Sequence, residues 1–206
     1  MILSDDYKNI VKLRFNNINE LPDSFFKEYY QQIINPNTFN NGLFNVFSLK
    51  DVLYYLQKSH VEYLNVWYPK IETITNKIQK QIGVNELTLT LNTFLVNYFN
   101  ELSNHINFEE KVLYNFVNKL LNNIYVESEK VFVLNHFLET HSHAIEDDLL
   151  SIQKRLINLN PDIKNNSNFV ELFNLFKLLH NDLKIHGLIE DEVLIDKIYQ
   201  YIDNHF

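Results

Sequence analysis

The chain has 206 residues, 46% of them hydrophobic, with 3 glycines, 4 prolines, no cysteine and a net charge of −8. So little glycine and proline favours long helices over barrels or sandwiches. The missing thiols exclude disulfides, cysteine-ligated clusters, thiolate zinc sites and thiol catalysis together. An acidic balance with no basic block argues against nucleic acid or an anionic membrane as partner. With no run of 18 apolar residues and no basic-then-apolar leader in view, the expectation is a cytoplasmic chain that does not span a membrane.

Residues 1–45 are expected to form an N-terminal extension, serving as a lid or as packing for a larger domain over residues 46–206. Within the extension, Asp23 and Ser24 are expected to cap a short helix through Ile34, and Asn35 to Gly42 reads as turn and loop. Ser48 and Asp51 then make a capping box. From there Leu49, Leu53, Leu56, His60, Tyr63, Trp67, Ile71, Ile74 and Ile78 recur every three or four residues. That is one long helix ending near Gly83, with Pro69 expected to kink it. A second helix should run from about Asn85 to Ile124, its seam carrying Leu91, Leu95, Tyr98, Leu102, His105, Glu109, Val112 and Phe116. A third is expected from Ser128 to Leu159, where Asn160-Pro161 stops it, with Phe132, His136, His143, Leu150 and Ile157 on its inner face. Asn168 to Glu171 is expected to cap the fourth, which presents Leu172, Phe176, Leu179, Leu183, His186, Glu190 and Val193. Four such rods joined by short loops predict an all-α, antiparallel up-down four-helix bundle.

Two segments, His105-x3-Glu109 and His186-x3-Glu190, each set an imidazole and a carboxylate on one helix face. Spacing alone is weak, because such pairs arise by chance. Height is more informative. At about 1.5 Å rise per residue, His60, His143, Glu109 and Glu190 all stand roughly 18–22 Å above one end of the bundle, with His105 and His186 about one turn higher. Two carboxylates and four imidazoles in one interior layer would be costly without a partner. A dinuclear metal centre removes that cost, with Glu109 and Glu190 bridging and the histidines capping; nitrogen and oxygen donors suit iron, manganese or zinc. Tyr63, Trp67 and Tyr98 flank the layer and are expected to be core packing. His136, His141 and His180 read as satisfied histidines, and Glu110, Glu192, Asp147, Asp148 and Asp182 as solvated charges.

These residues resemble the hemerythrin-like (HHE) superfamily. The resemblance rests on His60-Val-Glu-Tyr-Leu with Pro69, His105-x3-Glu109-Glu-x-Val-Leu-Tyr, His143 with Leu149-Leu150, and His186-x3-Glu190-x2-Val-Leu, over residues 48–206. Within the superfamily the chain is most similar to di-iron proteins that repair damaged iron–sulfur clusters. The resemblance implies two non-haem iron ions bridged by Glu109 and Glu190, with His60, His105, His143 and His186 as terminal ligands. It also implies O2 or NO as small ligands, and damaged iron–sulfur proteins as partners. The chain departs from the repair pattern in two ways. Gln79 to Ile82 offers no late histidine on the first helix, leaving His136, His141, Glu139 or Glu146 as substitutes, and the usual N-terminal domain with paired cysteines is absent. Oxygen carriers typically show H-x3-H on the third helix, which Thr140 breaks. The E-x-x-H spacing of ferritin-like enzymes is missing too.

Overall fold

The computed structural model describes Tyr29, residues 31–140 and residues 145–206, with backbone alone at residues 138–140. The expected helix start at Asp23-Ser24, together with His141 and His143, lies outside the described residues. All regular structure among the described residues is helical. The helices are α1 (Leu49–Glu62), α2 (Tyr68–Ile82), α3 (Glu86–Lys111), α4 (Leu113–Leu121), α5 (Glu127–Thr140), α6 (Asp147–Leu159), α7 (Ser167–Leu188) and α8 (Ile195–His205). Short 3-10 turns cover Pro36–Thr38, Asn41–Phe44 and Pro161–Asn165.

Local chemistry sets the helix starts. Ser48 and Asp51 form the expected reciprocal box, with the Asp51 amide donating to Ser48 Oγ at 3.2 Å and the Ser48 amide to Asp51 Oδ2 at 3.0 Å. Asn85 and Thr88 do the same for α3, at 3.1 and 2.9 Å. Each box satisfies amides that would otherwise face the helix end unpaired. Between them Gly83 turns the chain with φ of +74°, a conformation that a side chain would strain.

Three rods that the spacing predicts as continuous are interrupted. The first passes from α1 to α2 through a π-turn, Tyr63–Trp67, in which the Tyr68 amide reaches back to the Tyr63 carbonyl. Pro69 falls in the first turn of α2, directly after this π-turn. The second rod breaks at Val112 (φ −105°, ψ −72°) between α3 and α4. The last rod has its own π-turn, Ile189–Leu194, between α7 and α8.

Two expectations need correction. The third helix is divided into α5 and α6, and Glu146, Asp147 and Asp148 at the start of α6 are an acidic first turn of the kind that favours a helix N-terminus. Its inner face was misphased as well: Phe132 is 63% exposed, while Val133, Leu134, Phe137, Leu149, Ile152 and Leu156 are buried. The fourth helix is capped by Asn166, whose Oδ1 accepts from the Asn168 and Phe169 amides, rather than from Asn168 onward.

The core is continuous and rich in large side chains, with Tyr63, Trp67, Tyr98, Phe116, Phe169 and Phe176 all at most 2% exposed. Helix α2 packs on α3 and α7, α6 packs on α3 and α7, and α1 packs on α4 and the second π-turn. Tyr29 and Ile33 of the N-terminal region are fully buried, and the Asn181 side chain donates to the Ile33 carbonyl.

Candidate metal centre

His60 of α1, Glu109 of α3, His186 of α7 and Glu190 of the second π-turn meet in the interior, each at most 5% exposed. One ligand atom from each lies within 4.8 Å of the others. The His60 Nε2 to His186 Nε2 distance is 3.1 Å, His60 Nε2 to Glu109 Oε2 is 3.2 Å, and His186 Nε2 to Glu190 Oε1 is 3.4 Å. Donors sharing one ion at bonds of about 2.1 Å stand about 3.4 Å apart in a tetrahedron. The spacing fits an ion, and this buried group can hold one.

The outer hydrogen bonds fix which ring nitrogens face inward. The Ser59 hydroxyl donates its one proton to the Leu56 carbonyl at 2.7 Å, so the His186 Nδ1 lying 2.8 Å from Ser59 Oγ must be the donor there. In the neutral imidazole that a metal requires, this arrangement turns the Nε2 lone pair of His186 toward the centre. His60 likewise turns Nδ1 to Glu110 Oε1 at 2.9 Å, and Glu110 is held in turn by Gln57 at 3.1 Å. Such carboxylate–imidazole pairs orient a ligand and raise its basicity.

Electrostatics point the same way. Burial opposes charge on His60, but hydrogen bonds to Glu109 and Glu110 and the charges of Glu109 and Glu190 outweigh it, raising the ring to about 9. In the metal-free protein an imidazolium proton on Nε2 thus occupies the space among His186, Glu109 and Glu190 that a metal cation would take. Burial also works against the Glu110 carboxylate, yet hydrogen bonds from His60 and Gln57 hold it below its ordinary range. Tyr114 is fully buried and lies parallel to the His60 ring at 5.2 Å, and its hydroxyl donates to Glu190 Oε1. Burial and the nearby glutamates push that hydroxyl well above its usual range, keeping it a donor. Tyr63 meets His186 edge-on at 5.5 Å.

A pH dependence follows. His60 binds its proton more tightly in the folded metal-free chain than the value of 6.5 it has when exposed. The stability this provides is complete below about pH 6.5 and is lost as pH rises through about 9. Thermal melts of metal-free protein should therefore give a midpoint that falls between neutral pH and mildly alkaline pH, and His60→Gln should flatten that slope.

His105 takes a different position from the other expected ligands. It is 29% exposed, and its Nε2 lies 2.9 Å from Glu109 Oε1, the oxygen opposite to the one that faces His60. Four of the other five expected side chains, His60, His105, His186 and Glu190, thus gather with Glu109, and His143 lies outside the described residues. Of the substitutes for the missing histidine, Glu146 lines the cavity beside His105. His136 is not on that cavity wall and packs instead between Phe108 and Phe132. His180 is a satisfied histidine, with Nδ1 3.0 Å from the Glu146 carbonyl.

Two residues expected to be solvated charges are tied to interior partners. Glu110 is turned off the seam and keeps 34% of its side chain exposed, yet its carboxylate meets His60 on α1. Asp182 is fully buried one turn before His186 and accepts from the Tyr29 hydroxyl at 3.1 Å, because Tyr29 covers that face of α7. Glu110, Ser59 and Tyr114 were all missed as parts of the site. The doubled acid Glu109-Glu110 was the available clue for the first, and the place of Tyr114 at the end of the His105-x3-Glu109-Glu-x-Val-Leu-Tyr segment was one for the last; for Ser59 the sequence holds none.

The class defined by these features is an all-helical protein with a buried histidine–carboxylate group able to hold a metal ion, in which no described helix is long and apolar enough to cross a membrane. No family model, curated protein or solved structure matches the chain.

Proposed function

We propose that this chain is a non-haem di-iron protein of the hemerythrin-like class, folded as an up-down four-helix bundle, that serves iron–sulfur cluster repair or the response to nitric oxide and oxidative stress. One observation carries the metal reading: the two oxygens of buried Glu109 face two separate histidines, Oε2 toward His60 and Oε1 toward His105. A carboxylate used from both ends suits a bridge between two ions. His60, His186, Glu190 and Glu109 Oε2 would hold one ion. His105 and Glu109 Oε1 would begin the shell of the other, with Glu146 on the cavity wall and His143, by resemblance, as further ligands.

Bound iron would supply redox chemistry and an open coordination position. The protein's own share is orientation: Glu110 and Ser59 aim the two imidazoles, Tyr114 holds Glu190, and apolar walls at Leu102, Ile106 and Leu183 limit water. Iron quantification on protein purified without added metal, with an absorption spectrum in air, tests the reading. Two irons per chain are expected; manganese or zinc in their place would change the metal, and no metal at all would end the proposal. Delivery of iron to a damaged cluster rests on resemblance alone.

A second reading, an O2 or NO sensor or store without turnover, is favoured by a cavity of about 210 Å³ against the donors, lined also by partly exposed His105. Iron that passes to a cluster-depleted acceptor supports repair. Iron that stays, with a reversible spectral change on adding NO, supports sensing.

A further inference from the structure

Gly187 follows the ligand candidate His186 inside α7, where a glycine costs helix stability relative to alanine. The fold gives no reason for it. Its φ lies outside the left-handed region, and a Cβ built on it meets no atom within 4 Å. Helical glycines that are kept for packing have a neighbour pressed against the missing side chain, and this one has open space. Gly187 also lines the cavity of about 210 Å³, together with His60, His105, Glu109, His186 and Glu190.

We propose that Gly187 is the access port of the metal centre, its missing side chain leaving room for a small exogenous ligand to reach an ion and coordinate through one end. This rests on the metal reading above and adds the residue that selects the ligand. The cavity, about 210 Å³, is below the roughly 300–1,000 Å³ of pockets that enclose drug-sized molecules, so the ligand is a small one, and a diatomic or linear triatomic molecule fits within it. Leu102, Ile106 and Leu183 line the cavity together with Glu146, Lys184, Asp191 and Gly187. A branched side chain at residue 187 starts from a Cβ with open space around it and would extend toward that path.

Full-length protein loaded with Co(II), with azide as the probe, tests this. Gly187→Ala should raise the melting temperature of the metal-free protein by roughly 1–4 °C, as expected for a helical glycine with no packing duty. Gly187→Leu should take up Co(II) with wild-type stoichiometry yet bind azide about tenfold more slowly or worse, because access then waits on a side-chain or helix movement. Unchanged azide kinetics in Gly187→Leu would overturn the port while leaving the metal centre standing. Destabilisation by Gly187→Ala would also overturn it, by showing that the fold needs the glycine. Wild-type protein that takes up no Co(II) would instead defeat the metal reading, and the port with it.

Discussion

Glu109→Gln should abolish metal binding at both positions, leaving well under one ion per chain by elemental analysis or Co(II) titration. The amide keeps the shape of the side chain, so a folding defect is not the expected cause. It removes the charge, however, and turns one of the two inward atoms into an N–H donor that cannot ligate. Under the proposed bridging, His60 faces one oxygen and His105 the other, so neither ion of the pair would keep its full shell. His105→Ala should behave differently and lose one ion of the two, since the buried group of His60, His186, Glu190 and Glu109 stays intact. Glu110→Ala should keep the stoichiometry but weaken binding by about 10–100-fold, the usual cost of removing a carboxylate that orients a ligating histidine. Equal losses in the three variants would mean that Glu109 has no bridging role.

That ordering was only partly legible in the chain. Helix starts announce themselves in a few adjacent residues, so Ser48 with Asp51 could be read directly. The faces of α1, α3 and α7 were readable too, because Leu53, Leu56, His60 and Leu95, Tyr98, Leu102 keep strict three–four spacing. The third rod misled because His136 and His143 suggested a ligand face, whereas the apolar residues that decide burial, Val133, Phe137, Leu149 and Ile152, lie in another phase. The π-turns left no trace in spacing. A π-turn adds one residue to a single turn and swings the side chains beyond it onto a new face, often at a functional site. Here Tyr63–Trp67 begins three residues after His60, and Ile189–Leu194 contains Glu190. Charge direction was the other blind spot. A residue one step off the seam points to solvent only if no neighbouring helix stands there, and for Glu110 α1 does.

Chelation of the metal-loaded protein should lower its melting temperature by about 8–16 °C while leaving its helical content at room temperature unchanged. Coordination requires donors from α1, α3, α7 and the second π-turn together, so the folded chain binds ions that the unfolded chain cannot gather. At free metal near a thousand times the dissociation constant, that difference is worth about 4 kcal/mol. For a chain of this size each kcal/mol moves the midpoint by about 2–4 °C. Retained helicity is expected because most of the interior is independent of the ions: Trp67, Phe116, Phe169 and Phe176 remain buried in a continuous apolar core, and His60 keeps a proton that offsets part of the carboxylate charge. Glu109→Gln should show no chelator response, and its midpoint should lie close to that of the stripped wild type, since both lack ions and the variant carries one fewer buried charge. A midpoint indifferent to chelator in the wild type would leave the buried His60–Glu109–His186–Glu190 group as a polar network sustained by its own hydrogen bonds.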